Sequence, residues 1–301
     1  MQSESVSNTQ SNTLTARAFA PAHITGFFQI HEHEDPMEKG SIGCGIVLDG
    51  GVYTTVTTGN DIENTEIFLN GKKVAGDTCR SVIESMTEFP VKVESISDIP
   101  TGCGFGASGA GALGTAYALN HALKLEFTTS RLNDIAHLAE VKNRSGLGDV
   151  TGQAHGGILI RKTPGAPSIA NTDHIPTREK EVCCVVLGEL STSSVLGNPE
   201  TVENINMAGE EAMKKLIEKP TVESFMSCSR EFTINSGLAG DKIMQVIEAA
   251  ENAGVIASQA MLGNAVFSIP SMTHAPELVD IFSEYGEVLR FRIRAGSIRI
   301  V

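Results

Sequence analysis

The sequence predicts an α+β protein built as two domains, and three observations carry that reading. Apolar and β-branched segments joined by glycine and proline turns dominate the first hundred residues. A glycine-dense stretch, Pro100 to Gly114, then runs into small and apolar residues as far as Leu123, the pattern of a loop that opens a helix. Finally, a proline-containing polar stretch at 163–180 precedes a second group of strand and helix signals. We therefore expect a tail over 1–13, a first domain over 14–175 and a second over 176–301. The 301 residues, 41% hydrophobic, suffice for two ordinary domains.

In chain order, Met1 to Thr13 is mostly Ser, Asn, Thr and Gln, without the basic and apolar regions of a signal peptide, and is expected to be disordered. Residues 14–30 read as a strand, a turn at Pro21 and a second strand. His31-Glu32-His33-Glu34-Asp35 reads as a solvated loop rather than a metal cluster. A strand from Lys39 to Asp49 is expected to fold back at Gly50-Gly51 into Val52 to Thr58. Asn70-Gly71 marks another hairpin. Residues 77–89 suit an amphipathic helix, and Val91 to Ser95 alternates like a half-buried strand.

Past the glycine loop, Thr128, Thr129 and Ser130 are helix-capping residues. Leu132, Ile135, Ala136 and Ala139 follow at helical spacing, and His137, Glu140 and Arg144 form the opposite stripe. By spacing alone that stripe suits a solvated face; the segment after it favours a site wall. There, Ser145 to Gly157 is glycine-rich with one central acid, Asp149, and feeds the strand from Ile158. Helices are expected at 199–219, 221–233 and Asp241 to Ala253, the last with Ile243, Val246, Ile247 and Ala250 on one face. Glu287 to Arg294 suggests a closing strand.

The charge of −13 disfavours a nucleic-acid backbone as partner. No apolar run is long enough to span a bilayer. Six cysteines without a Cys-x-x-Cys pair suit neither a zinc site nor a disulfide framework, and fit reduced cytoplasmic thiols. The sequence leaves the oligomeric state open, a homodimer included.

The glycine loop suits phosphate. Glycine allows close backbone approach, and a helix start offers free N–H groups and partial positive charge. No lysine follows the glycines, so this is not a P-loop. Gly104-x-Gly106-x-x-Gly109 also fits a dinucleotide fingerprint, with Glu126 about where a ribose-binding acid belongs. A dinucleotide-dependent oxidoreductase and a non-catalytic nucleotide-binding module thus stay open at this point.

The longer pattern from Pro100 to Ala110, Pro-x-x-x-Gly-Phe-Gly-Ala-Ser-Gly-Ala, resembles the Pro-x-x-x-Gly-Leu-Gly-Ser-Ser-Ala signature of the GHMP kinases. Two further features resemble that superfamily in the same order. They are Ala20-Pro21-Ala22-His23, with histidine where relatives have lysine, and Gly148-Asp149 followed by Gly156-Gly157 and a strand. The resemblance implies an N-terminal ribosomal protein S5 domain 2-like, ATP-binding domain and a C-terminal ferredoxin-like domain. It implies that Pro100, Gly102, Gly104, Phe105, Gly106, Ala107, Ser108 and Gly109 wrap the phosphates of ATP. It further implies Mg²⁺ at Ser108 and Glu140, and Asp149 as base or orienting group. The glycine-rich motif expected near Gly263 is reduced to that one glycine, so no ATP contact is assigned there.

Within the superfamily, the segments at 20–28, 146–157 and 186–192 resemble the archaeal pantoate kinases, which implies pantoate as the phosphate acceptor. Pantoate is an anion and needs a cationic partner. Arg161 is the first candidate, with His137 and His23 as further substrate-binding candidates. Homoserine, mevalonate or shikimate kinases are the alternatives within the superfamily.

Overall fold

A computed structural model describes residues 13–188, 199–296 and 298–301. Of the expected tail, 1–12 lie outside the described residues, as do 189–192 of the segment at 186–192. The chain opens with two long strands, β1 (Leu14–His31) and β2 (Gly40–Thr58), paired antiparallel along almost their whole length. The expected turns at Pro21 and Gly50-Gly51 are therefore not turns. Pro21 lacks the N–H that a ladder needs, and the strand absorbs it as a register shift between Pro21 and His23. Gly51 lies directly under β1, where a Cβ would come within 2.2 Å of the Ala20 carbonyl oxygen. Glycine there serves close strand packing, not chain reversal.

The Asn70-Gly71 hairpin forms as expected between β3 (Glu66–Leu69) and β4 (Lys72–Val74). Helix α1 (Asp77–Met86) and strand β5 (Val91–Ser97) follow. The glycine loop then leads into α2 (Ala107–Leu123). Helix α3 (Thr129–Asn143) starts on a side-chain cap from Thr128. The glycine-rich segment after it is not all loop, because residues Asp149–His155 form a short helix, α4. Strands β6 (Ile158–Arg161) and β7 (Thr172–Ile175) pair with each other.

The second half begins with β8 (Glu181–Gly188) and continues through α5 (Pro199–Glu218), α6 (Val222–Asn235) and α7 (Asp241–Asn252). On α7 the four residues chosen by spacing, Ile243, Val246, Ile247 and Ala250, are the buried ones. Strands β9 (Ser258–Gln259) and β10 (Asn264–Ser268), helix α8 (Ala275–Ser283) and strand β11 (Glu287–Arg292) complete this part. The chain does not close on β11, because β12 (Arg299–Ile300) returns to pair with β1.

Two sheets result. The first runs β12-β1-β2-β5-β3-β4, with β6 on the free end of β2 and β7 beside it. The second runs β11-β8-β10-β9, which places the fourth strand beside the first and the third beside the second. That order and the β-α-β-β-α-β sequence of elements are ferredoxin-like. Helix α2 lies on the first sheet so closely that a Cβ on Gly114 would fall 2.6 Å from Thr54 Oγ1. The small residues of α2 are thus a packing surface. Helices α5 and α6 pack on the far end of β1, where Phe27 and Phe28 meet Phe225 and Phe232. Among the described residues, no helix is long and apolar enough to cross a membrane.

Candidate active site

The glycine loop sits at the start of α2. Gly102, Gly104 and Gly106 all have positive φ (70°, 87° and 66°), a region that costs other residues strain. Gly106 is the N-cap of α2, with no side-chain cap, so the first N–H groups of the helix are left for a ligand. The loop is anchored by apolar and main-chain contacts. Phe105 is buried against Phe291, and the Phe105 carbonyl accepts from the His23 backbone N–H at 3.0 Å. Phe105 is therefore the loop's anchor in the core, not a ligand-facing side chain. Gly263 lies against the loop as well, since a Cβ there would come within 2.2 Å of Cys103.

Helix α3 brings in Glu140, which is 1% exposed, and His137 is buried beside it. Spacing alone suited a solvated stripe; only Arg144 at its end is exposed. Glu140 Oε1 accepts from Ser108 Oγ at 2.6 Å and from Ser145 Oγ at 2.7 Å. Thr78 of α1 bonds both serines. The other oxygen, Oε2, is buried and has no hydrogen-bond partner among the described residues. Burial pushes the Glu140 pKa up to about 7, with the nearby Asp149 adding to it and the Ser108 and Ser145 bonds opposing. A buried carboxylate with two hydroxyls on one oxygen and, among the described residues, no partner on the other suits a hard divalent cation. Among the described residues no group of three or more His, Cys, Asp or Glu is placed to hold a metal. Mg²⁺ needs no such cage, since it is commonly held by one or two carboxylates together with phosphates.

Asp149 is the first residue of α4, so the expected glycine turn is a helix start. Its Oδ1 lies 2.7 Å from Nδ1 of His23, which β1 carries. The histidine is fully buried and the carboxylate side chain keeps 27% exposure. Burial holds the His23 pKa below its usual value, so the neutral ring donates Nδ1–H to the carboxylate. For Asp149, burial favours the protonated form, but His23, Arg161 and a Thr25 hydrogen bond outweigh it and keep the pKa low. Oδ2 faces the Glu140 side. A Cβ on Gly146 would lie 2.0 Å from Glu140 Oε2 and 3.7 Å from Asp149 Oδ2.

Arg161 ends β6, yet it is 2% exposed and is not a surface strand end. Its Nε and one terminal nitrogen have no hydrogen-bond partner among the described residues. It lies behind Gly148, where a Cβ would come within 2.8 Å of Nε. Burial lowers its pKa and Asp149 opposes that; a guanidinium remains charged. Buried, charged and short of acceptors among the described residues, this side chain has donors that an anion could accept.

The structure thus brings together the loop, Ser108, Glu140, Asp149, His23 and Arg161. Two expected substrate contacts each have one ring nitrogen engaged with the protein. His23 spends Nδ1 on Asp149, and Nε2 faces glycines, 2.3 and 2.4 Å from the Cβ positions of Gly45 and Gly152. It touches the candidate base, not an open cleft. His137 lies in the same wall but turns Nε2 to the carbonyls of Lys39 (3.0 Å) and Pro36 (3.3 Å). Glu126 is exposed beyond the far end of α2, a 17-residue helix roughly 26 Å long. That distance removes the ribose contact on which the dinucleotide pattern rests. Sequence reasoning missed Thr78, Ser145 and Gln153. The only available signal was for Gln153, which is four residues after Asp149 and so shares its face of α4.

Residues 72–157 match the family described as GHMP kinases N terminal domain. The chain is 38% identical over 256 residues to a pantoate kinase of Methanocaldococcus jannaschii, covering 83% of this chain and 91% of the relative. It is 36% identical over 280 residues to a pantoate kinase of Thermococcus kodakarensis, covering 89% and 92%. A solved structure titled "Phosphotransferase related to CoA biosynthesis pathway" superposes with a TM-score of 0.88 at 31% identity, over 96% of this chain and 99% of that one. The chain belongs to the pantoate kinase family of the GHMP kinases.

Proposed function

We propose that this kinase transfers the γ-phosphoryl group of ATP to the primary hydroxyl of pantoate, giving 4-phosphopantoate. The observation that carries the reading is the pairing of two groups beside the phosphate loop. Asp149 is a carboxylate held from behind by His23, and Arg161 is a buried cation with unpartnered donors. In this reading the carboxylate of a hydroxy acid binds Arg161 and its hydroxyl binds Asp149. His137 is the second candidate for the acid's recognition, from the same wall.

Phosphoryl transfer depends mainly on positioning and charge neutralisation. In this reading the loop from Pro100 to Gly109 and the start of α2 hold the triphosphate. Ser108 and Glu140 hold Mg²⁺, which when bound neutralises phosphate charge. Asp149 accepts the proton that the hydroxyl loses as its oxygen attacks phosphorus. His23 keeps the carboxylate ionised and aimed. Residues 14–175 then form the ATP-binding unit, completed by β12 from the chain end, and 176–301 the second unit. None of the six cysteines forms a disulfide among the described residues, which fits a reducing, cytoplasmic setting.

The test is a coupled ADP-release assay with pantoate, mevalonate, homoserine and shikimate. Turnover is expected with pantoate above the others. A folded protein that releases ADP with none of them, or prefers another acid, would overturn the proposal.

A further inference from the structure

Gln153 has no role in the scheme above, yet it is fully buried at the centre of the site. Its Nε2 donates to the Gly106 carbonyl at 2.8 Å. A carbonyl can only accept, so this bond fixes which end of the amide is nitrogen. The amide oxygen, Oε1, must then point the other way, and it is buried with no partner among the described residues. It points at Gly109, where a Cβ would fall 2.7 Å from Gln153 Oε1 and 3.4 Å from Glu140 Oε2. The two orphaned oxygens therefore flank one gap, kept open by the missing side chain of Gly109. Gln153 Oε1 can only accept, Glu140 Oε2 accepts when ionised, and among the described residues no other protein donor serves either. Two buried acceptors facing one gap call for a cation or for water bound to one.

We infer that Gln153 is a positioning residue of the cation site, clamping the phosphate loop through its nitrogen and facing the divalent ion, or a water bound to it, through its oxygen. The inference rests on the kinase reading, because it takes Glu140 as a metal ligand. One residue would then couple three parts: the N-cap of α2 at Gly106, the ion, and α4, which carries Asp149 one turn earlier.

The test uses the full chain and Mn²⁺ as probe, with free Mn²⁺ followed by electron paramagnetic resonance and no substrate present. Gln153→Leu is expected to weaken Mn²⁺ binding at least fivefold, whereas Gln153→Glu keeps an oxygen at the gap and binds as tightly or more so. Wild-type Mn²⁺ affinity in folded Gln153→Leu would overturn the inference. So would an absence of Mn²⁺ binding by the wild type at millimolar concentrations. If Gln153→Leu does not fold, Gly109→Ala replaces it. There the new methyl fills the gap, and unchanged Mn²⁺ affinity would equally sink the idea. The assay contains no pantoate, so a wild type that binds Mn²⁺ through Gln153 but leaves pantoate untouched refutes only the proposed activity.

Discussion

His23 Nδ1 and Asp149 Oδ1 lie 2.7 Å apart, joining β1 to the first turn of α4 across 126 residues of sequence. The imidazole is fully buried, and Gly45 and Gly152 leave room for its far side. The bond engages Oδ1 of Asp149. It also settles which side of the carboxylate faces the Glu140 wall.

If His23 orients Asp149 rather than binding substrate, His23→Asn should lower kcat while pantoate KM changes little. The loss of one hydrogen bond to a charged group, about 1.5–3 kcal/mol, sets the fall at roughly tenfold to a hundredfold. Steady-state kinetics with pantoate varied separates the two cases. A raised KM with normal kcat would make His23 a substrate contact.

Asp149→Asn keeps the shape of the side chain and removes the base. We expect kcat to fall by about 10²–10⁴ with ATP binding intact. Near-wild-type turnover in a folded variant would reduce Asp149 to a helix-start residue and leave the hydroxyl without a base.

Removing the Arg161 guanidinium should act on pantoate and not on ATP. For Arg161→Ala we expect pantoate KM to rise on the order of tenfold to a hundredfold, the worth of a charge-assisted bond. Arg161→Lys should recover little, because a single ammonium does not reproduce the planar fork. Pantoate KM at the wild-type value in the alanine variant would shift attention to His137.

Glu140 makes the stability of the metal-free protein depend on pH. Its folded pKa is raised to about 7 from an ordinary 4.5, first by burial. Between those values the folded state holds more protons than the unfolded one, so the stability it contributes is complete below pH 4.5 and is lost as pH rises to 7. A shift of that size corresponds to about 3 kcal/mol. In EDTA, urea melts of wild type minus Glu140→Gln should show this fall, and a difference that stays flat from pH 5 to 8 would contradict it. Added Mg²⁺ should stabilise the wild type more than the variant at pH 8.

The parts of this site legible in sequence are those whose chemistry is local. Gly102, Gly104 and Gly106 reveal the loop because positive φ there favours glycine over any other residue. Apolar spacing reveals α7, since burying one face of a helix needs a 3.6-residue period. The same local logic fails at Pro21 and at Gly50-Gly51. Both are turn signals on their own, but β1 and β2 run through them because the pairing of two long strands outweighs turn preference.

By itself, then, the sequence determined the α+β class, the phosphate loop and the identity of the acidic residues beside it. Tertiary structure decided what those residues do. Glu140 and His137 fit a solvated stripe by spacing, and become a buried wall only because α3 packs between α1, α2 and α4. Arg161 fits an exposed strand end, and is buried because β6 lies between β2 and β7. His23 is tied to Asp149, and Gln153 to Gly106, by contacts that span 126 and 47 residues. No local periodicity or propensity encodes such pairs, because hydrogen bonds and desolvation depend on which groups the finished fold brings within about 3 Å of one another.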